Sequence, residues 1–443
     1  MPQILSSRTN IEQIKAAYDA SDFARCASLC RPLLSRPPRP INTSIAVCYG
    51  KCLLQLERRC DEALPFLRRA ARQCPREPEP IWADAQTFLA VALAASGGFA
   101  EAETVLRAFA GARLRSPASV GSLQAHAILA VTADWRRGWS VHESRRWNTA
   151  VAVPGADAAL RWNGADPVTV SIIDEQGLGD VVLMARWIPW LIDTTGRTPR
   201  FYGRAALRRW IEAAGCDFVE RPVQRSGLDT AADAGEIAEW NVALAMSLPS
   251  LAQCATPADV PAPFAPGALL RARARQVAGD RVDGIPHRVG VCWTSTAANL
   301  NKQLRFMPEQ FAEVWSRLDG VEFVNLAHDA RVSMNAPFGV RRFADVYETG
   351  ELLTSLDLVI TVDTLVAHLA GSLGIPIIVI APTYYDWRYR WPGEQGSPFY
   401  PSVSVFRQQS GDDVSVLARV RAALEDHVSS APVNGRASIR RTA

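Results

Sequence analysis

Two short polar turns carry the residue types that could hold or react with a charged ligand. The first is Glu-Gln-Gly-Leu-Gly-Asp at 175–180, between the apolar run VTVSII and the apolar, helix-like run VVLMARWIPWLI. Gly177 and Gly179 let the backbone approach a ligand closely, and Asp180 can cap the free N–H groups of the predicted helix. The turn is not a dinucleotide fingerprint, which has a third glycine, nor a Walker loop, which ends in Gly-Lys-Ser/Thr. Ligand contact and simple capping both remain open.

The second turn is Asp363-Thr364, between the strand-like run DLVITV and the helix-like run TLVAHLAGSLG. Unpaired N–H groups at a helix start favour an anion such as phosphate. His368 lies about one turn into this helix and is placed to donate a hydrogen bond to the same ligand. The alternative is a capping aspartate with a buried histidine.

The elements that must position these turns alternate in type from residue 168 onward. Short apolar β-rich runs alternate with helical runs, and the proline-rich segment PADVPAPFAPGALL interrupts the series. We therefore predict two parallel βα lobes, at 151–265 and 266–425, followed by a flexible tail at 426–443. Because ligands bind at the carboxyl ends of parallel strands, both turns are expected at an interlobe cleft of a nucleotide-handling enzyme.

Other polar side chains follow predicted strands and are weaker candidates, since each could simply hydrogen-bond within its loop. They are Thr294, Ser295, His328 and Thr383. Trp387, Arg388 and Tyr389, a few residues beyond Thr383, are candidates either for the lining of a base or sugar pocket or for a structural lid.

The first third of the chain, residues 1–150, is predicted to be a helical repeat domain. Three stretches share an alanine at the same offset (Ala24, Ala63 and Ala102), and each closes in a proline. The stretch WADAQTFLAVALAASGGFAEA resembles a tetratricopeptide unit, with two helices and a Gly-Gly turn. Such repeats stack into a slab that often binds a peptide or protein. A helical cap that only stabilises the next domain is the alternative, and Trp135, Trp139 and Trp147 are predicted to pack against that domain.

Composition narrows the class of protein. The 443 residues carry 48 basic and 45 acidic side chains, which does not favour a nucleic-acid partner. No apolar run approaches the roughly twenty residues that span a bilayer, and no secretory signal is apparent, so we expect no transmembrane segment and a cytoplasmic location. Six of the nine cysteines precede residue 75 without a Cys-x-x-Cys step, and they are interpreted as small buried residues in a reducing compartment rather than a metal site.

The motifs taken together resemble a known family. Asp363-Thr364 with the following Ala-His-Leu-Ala, combined with Gly179-Asp180, is similar to the heptosyltransferase-type glycosyltransferases of family nine, which have the GT-B fold of two Rossmann-like lobes. The resemblance is closest to the bacterial group that joins tetratricopeptide repeats to such a domain. It runs from about residue 60 to 408 and includes the Trp135–Glu143 segment, SLP at 247–249 and DWRYRW…SPFYP at 386–401.

The resemblance implies roles for individual residues. Asp180 would be the general base that takes the proton of the acceptor hydroxyl. Arg305, which precedes Phe-Met-Pro, would contact the leaving diphosphate, with Lys302 as a substitute cation. Asp363 would contact the hydroxyls of the donor sugar. The remaining residues expected near the donor or acceptor are Gln176, Gly177, Gly179, Thr294, Thr364, His368, Thr383, Trp387 and Arg388.

The implied activity is an inverting, metal-independent glycosyltransferase without a cofactor, which moves a sugar from a nucleotide-sugar to an acceptor hydroxyl. The acceptor is expected to be a protein held by the repeats. A saccharide or lipid-linked acceptor, and a non-catalytic scaffold with a degenerate GT-B domain, are the alternatives. Leu365 departs from the family, which often has Gly or Ala there, so heptose specificity is not carried over.

Overall fold

The computed structural model describes about two thirds of the chain. The described residues are 7–19, 22–34, 42–55, 60–73, 79–96, 98–110, 129, 134–143, 162–220, 223–224, 227–228, 241–278, 287–293, 318–327, 343–381, 387–389, 396–407 and 413–430. They belong to two compact units. The first comprises residues 1–145 with the short segments 383–387 and 409–411, and the second comprises the rest of the chain.

The first unit is helical throughout its described part. Its helices are α1 Ser7–Asp19, α2 Phe23–Leu34, α3 Thr43–Gln55, α4 Cys60–Gln73, α5 Glu79–Ala95, α6 Phe99–Ala110 and α7 Trp135–His142. Each of the first five packs against the next, and α3 also packs against α5. Small residues allow these close approaches: a Cβ placed on Gly50 of α3 would lie 2.6 Å from a side-chain carbon of Leu67 in α4.

One detail of the repeat alignment is wrong. Ala63 and Ala102 are fully buried, as a packing role requires. Ala24, however, is exposed. In α2 the buried small residues are Cys26 and Ala27, so this helix meets its neighbours through a face rotated by two to three residues from the predicted one. The closing prolines of the three stretches lie outside the described residues.

The tryptophans of α7 pack inside the first unit. Trp135 and Trp139 are buried, and their rings meet edge to face. Trp139 also meets Trp387 edge to face, with ring centroids 5.3 Å apart, and Trp387 is itself part of this unit. Trp147 lies outside the described residues.

The second unit contains two parallel sheets, as the alternating pattern predicts. Its strands are β1 Val170–Ile173, β2 Arg200–Gly203, β3 Asp217–Glu220, β4 Val223–Gln224, β5 Gly227–Leu228, β6 Asn241–Leu244, β7 His287–Cys292, β8 Val321–Asn325, β9 Leu358–Val362, β10 Ile377–Ala381 and β11 Val403–Arg407. The four-stranded sheet has the order β3-β2-β1-β6, and the five-stranded sheet has the order β11-β10-β9-β7-β8. All pairs within these two sheets are parallel, whereas β4 and β5 form a separate antiparallel pair.

Helices connect and cover the strands. They are α8 Leu178–Met184, α9 Ile188–Thr195, α10 Arg208–Ala213, α11 Leu248–Leu251, α12 Gly267–Ala278, α13 Val346–Leu353, α14 Leu365–Ser372 and α15 Asp413–Ser430. Every residue of β9 and β10 is buried, which is typical of parallel strands covered on both faces. Among the described residues, no helix combines the length and apolarity needed to cross a membrane.

Candidate active site

Each of the two parallel sheets has one point at which the strand order reverses, and one of the two predicted turns lies at each of these points. Within the first sheet the chain leaves β1 toward β2 on one side and later returns to place β6 on the other side. Within the second sheet the same reversal occurs between β7 and β9. Such switch points open a crevice at the carboxyl ends of the strands. The turn at 175–180 follows β1, and Asp363 follows β9.

The first turn is shaped by backbone conformation and by two carboxylates. Gln176 has a φ of 60°, a left-handed conformation that is uncommon for a residue other than glycine. Gly177 is the N-cap of α8, and its N–H donates to Oδ2 of Asp180 at 2.9 Å. The buried Glu175 accepts the N–H of Met246 at 2.9 Å, so the turn is tied to the segment that follows β6. Asp180 therefore caps the start of α8 through the N–H of Gly177.

Asp180 has a second partner that comes from far along the chain. The guanidinium of Arg388 donates to Oδ1 of Asp180. Asp180 is 5% exposed and Arg388 is 3% exposed, so the ion pair is almost completely removed from solvent. Both carboxylate oxygens are thus hydrogen-bonded, one to the start of α8 and one to the segment between β10 and β11.

The helix starts that follow the two turns are in direct contact. A Cβ placed on Gly179 would lie 2.6 Å from Cδ2 of His368 and 3.2 Å from Cα of Leu365. Only glycine permits this approach, because any larger residue at 179 would displace α8 from α14. The carboxylate of Asp180, one residue further on, is therefore held beside the beginning of α14. Leu365 is half-buried at this contact.

The start of α14 is built by two threonines and an aspartate. Thr364 is the N-cap, and its hydroxyl accepts the N–H of Val366 at 3.2 Å. The Thr361 hydroxyl lies 3.1 Å from that of Thr364. Asp363 is 3% exposed, and its Oδ1 accepts the hydroxyl of Tyr389 at 3.0 Å. The helix start is an electrostatically positive environment for an anion, with Asp363 fixed at its edge.

A buried polar chain runs back from this point into the protein. Nε2 of His368 lies 3.9 Å from Oδ1 of Asp363, and Nδ1 of His368 lies 3.0 Å from the hydroxyl of Tyr400. The guanidinium of Arg186 stands 4.8 Å from the centre of the Tyr400 ring. Burial raises the pKa of Tyr400 to about 12, although Arg186 opposes this, so Tyr400 keeps its proton at neutral pH.

Arg186 joins elements from separate parts of the second unit. It extends from the short turn after α8, and its guanidinium donates to the carbonyl oxygens of Phe399 at 2.8 Å and Pro261 at 3.2 Å. Burial lowers its pKa, while Tyr400 counteracts that effect. A buried cation with carbonyl and aromatic partners fixes its neighbours in place.

The segment that supplies Arg388 and Tyr389 is anchored through its backbone. The Ser397 hydroxyl donates to the carbonyl oxygen of Arg388 at 2.6 Å, and the Arg407 guanidinium donates to the carbonyl oxygen of Tyr389. The two side chains therefore project from a fixed position, one toward Asp180 and one toward Asp363.

The structure brings together one part of the predicted set of site residues. Gly179, Asp180, Asp363, Thr364, His368 and Arg388 form one contiguous group, with Gln176 and Gly177 exposed at its edge. Trp387 is instead buried against Trp139 in the first unit. The predicted residues Thr294, Ser295, Lys302, Arg305, His328 and Thr383 lie outside the described residues.

Two side chains at this site, Arg186 and Tyr400, were not predicted from the sequence, whereas Tyr389 was a candidate together with Trp387 and Arg388. Arg186 had a usable signal, because it is the one charged residue in the apolar run VVLMARWIPWLI and a buried charge needs partners. Tyr389 and Tyr400 lie in the DWRYRW and SPFYP segments, but their partners Asp363 and His368 could be found only from the folded chain.

The chain is similar in sequence to a known protein, but the similarity does not assign it to a family. No protein-family model matches the chain. Protein FlbA of Caulobacter vibrioides is 28% identical over 326 residues, which are 66% of this chain and 53% of FlbA. The chain thus spans about half the length of this curated relative.

Three solved structures of glycosyltransferases are similar to parts or most of the chain. Escherichia coli ADP-heptose LPS heptosyltransferase II is 13% identical with a TM-score of 0.40, covering 58% of this chain and 98% of that one. A family 9 glycosyltransferase from Veillonella parvula is 12% identical with a TM-score of 0.37, covering 56% and 87%. A mutant O-GlcNAc transferase from Thermobaculum terrenum is 17% identical with a TM-score of 0.33, covering 96% and 94%.

Proposed function

We propose that this protein is an inverting glycosyltransferase that moves a sugar from a nucleotide-sugar to an acceptor hydroxyl. The observation that carries the proposal is the contact between two helix starts that follow different sheets. Asp180 lies at the start of α8, and Gly179 beside it packs against Leu365 and His368 at the start of α14. A carboxylate and an anion-binding helix end are the two groups that this reaction needs close together.

In the proposed reaction Asp180 is the general base. The acceptor hydroxyl loses its proton to the carboxylate as its oxygen attacks the anomeric carbon from the side opposite the leaving group, which inverts that carbon. In the structure Oδ1 of Asp180 is occupied by Arg388. The acceptor therefore takes the place of Arg388 on this oxygen, while the N–H of Gly177 continues to orient Oδ2.

The leaving diphosphate is assigned to the start of α14. The N–H groups there and the Thr364 hydroxyl stabilise the charge that develops as the sugar–phosphate bond breaks. His368 is fixed between Asp363 and Tyr400, and Asp363 is assigned to hydroxyls of the donor sugar. Arg305, with Lys302 as a substitute, is assigned to the diphosphate because a guanidinium can bind two phosphate oxygens. No metal is included in the scheme, since helix N–H groups and cations supply the positive charge.

The acceptor is proposed to be a protein that the helical unit selects. Support comes from the chain of successively packed helices α1 to α6, an arrangement that in repeat proteins forms an extended binding surface. The competing candidates are a saccharide or lipid-linked acceptor with the helices acting only structurally.

The test is a donor screen on the purified full chain. ADP-, GDP-, UDP- and CMP-linked sugars are incubated with the protein, and release of the free nucleotide is measured. Asp180→Asn is expected to lower turnover by about 100- to 10,000-fold, the range of general-base catalysis. Its matched control is Asp217→Asn, which changes an exposed carboxylate at the start of β3 and should leave turnover unchanged.

Two results contradict the proposal. One is wild-type turnover in a folded Asp180→Asn protein. The other is the absence of both turnover and nucleotide-induced thermal stabilisation for every donor in the wild type, which favours the non-catalytic scaffold.

A further inference from the structure

Two adjacent helices of the first unit carry four cysteines close to their contact. Cys26 and Cys30 lie one turn apart on α2, and Cys48 and Cys52 lie one turn apart on α3. Since α2 packs against α3, the two pairs face each other. We name these four residues the thiol cluster. All four are free cysteines; Cys48 is half-buried and the other three are fully buried.

The spacing of the thiols matches that of metal ligands. The sulfur atoms of Cys26, Cys30 and Cys48 all lie within 4.8 Å of one another, and those of Cys26 and Cys48 are 3.6 Å apart. Ligand sulfurs around a tetrahedral zinc ion, at a Zn–S distance of about 2.3 Å, are about 3.8 Å apart. A fourth thiol, that of Cys52, lies one helical turn from Cys48 on α3, outside the group of three whose sulfur atoms all lie within 4.8 Å of one another.

Packing alone does not account for this arrangement. Cys216 and Cys254 are also buried, and among the described residues neither belongs to a group of three or more possible metal ligands, as expected of thiols that serve as small apolar side chains. Three thiols within 4.8 Å of one another, with a fourth one helical turn away, form a soft, sulfur-only donor set, which is the set that Zn²⁺ and Cu⁺ prefer.

We propose that the thiol cluster is a metal site for a thiophilic d¹⁰ cation, Zn²⁺ in the first instance, which clamps α2 to α3. Each ligating thiol that carries a proton releases it to solvent on binding. The step within each cysteine pair is four residues, the period of a helix, and differs from the Cys-x-x-Cys step by which zinc sites are usually recognised in a sequence.

Cobalt titration of the reduced, metal-free full chain tests the proposal, because Co²⁺ reports tetrahedral thiolate ligation by its visible and near-ultraviolet bands. We expect one Co²⁺ per chain, displacement by Zn²⁺ and release of protons. The double substitution Cys26→Ser with Cys48→Ser should abolish the bands. Cys60→Ser and Cys216→Ser, each a buried cysteine outside the cluster, should retain them.

A second measurement on the wild type covers the case in which the double variant fails to fold. Zn²⁺ should protect the four cluster cysteines from alkylation in the native chain, as read by peptide mass spectrometry, and should raise the melting temperature. The proposal is overturned if the reduced wild type gives no thiolate–cobalt bands, if Zn²⁺ leaves alkylation unchanged, or if the Cys60→Ser control loses the bands together with the double variant.

Discussion

At the scale of single residues, the buried ion pair of Asp180 and Arg388 fixes the position of the carboxylate at the site. Each is almost inaccessible to solvent, and a buried charge is stable only with a partner. The pairing also explains how a base can be kept in position before the acceptor arrives. Arg388 is thus a positioning residue in the proposed reaction, and its substitution tests the pair independently of catalysis.

Arg388→Met should lower the free energy of unfolding by about 3 kcal/mol, because it leaves the Asp180 carboxylate buried without its cation. Combining it with Asp180→Asn should cost less than the sum of the two single changes, with a coupling of at least about 1 kcal/mol. Urea denaturation followed by tryptophan fluorescence measures these values. Arg208→Met, at a half-exposed arginine on α10, is the control. Strict additivity of the two changes would show that the pair does not exist in solution.

At the scale of elements, the contact of α8 with α14 and that of α10 with α13 hold the two sheets of the second unit together. The first contact depends on Gly179. The second contains a two-pronged ion pair, in which Nε and Nη2 of Arg209 donate to the carboxylate of Asp345 at 2.7 and 2.9 Å. Asp345 is also the N-cap of α13.

Gly179→Ala should weaken the site without removing any reacting group. The added methyl group would meet His368 at 2.6 Å, and overpacking of this kind costs about 1–3 kcal/mol. We expect a lower melting temperature and a turnover reduced by at least about tenfold, since misplacement by 1 Å can cost about 100-fold. Gly267→Ala at the exposed start of α12 is the control. Unchanged turnover in Gly179→Ala would contradict the required contact.

Asp345→Asn should reveal the inter-element ion pair through its pH dependence. Burial raises the pKa of Asp345, but the hydrogen bonds from Arg209 and from the N–H of Glu348 outweigh this and bring it below 3.8. Asparagine preserves the N-cap, so only the charge is lost. Because Arg209 is 45% exposed, we expect a cost of about 1 kcal/mol at pH 7.

A carboxylate whose pKa is lower in the folded than in the unfolded chain stabilises the fold at pH values above its unfolded pKa of about 3.9. The wild type should therefore be more stable than Asp345→Asn down to about pH 4. This difference in stability should disappear as the pH falls through the lower pKa that Asp345 has in the folded chain. Melting temperatures of both proteins between pH 3 and 7 test this. A difference that stays constant across the range would exclude Asp345 as its source.

At the scale of the whole molecule, the helical unit and the two-sheet unit are expected to divide recognition and chemistry. Deleting residues 1–130 should leave donor hydrolysis within about threefold of wild type and abolish sugar transfer to protein, since effects on distant, independent sites are separable. Transfer of labelled sugar to proteins of a cell extract, measured on gels, is the assay. Retained protein labelling would favour helices with a purely structural role, and circular dichroism confirms that the shortened chain is folded.

Hydrophobic period and turn residues were sufficient to predict most of the parallel strands, although β6 and β11 were not predicted. The runs VTVSII, DLVITV and IPIIVIA appear as β1, β9 and β10, because a strand covered on both faces needs an unbroken apolar run. The two helix starts were also predicted, and Asp180 accepts the N–H of Gly177 as a capping residue does. At the second turn, however, the N-cap is Thr364 and not Asp363, the aspartate considered for that role. The alignment of the helical repeats was predicted less accurately. Ala24 was predicted at a helix contact but is exposed, because several neighbouring alanines and cysteines could occupy the buried face of the same helix.

The sequence by itself determined which residues could end a strand, begin a helix or carry a charge, because these properties act over a few neighbouring residues. Only the tertiary structure decided which distant groups meet: Arg388 with Asp180, Tyr389 with Asp363, Tyr400 with His368, and two pairs of cysteines in adjacent helices. Which residues become partners depends on strand order and helix packing. Because these result from many weak contacts between residues far apart in the chain, no local sequence pattern specifies them.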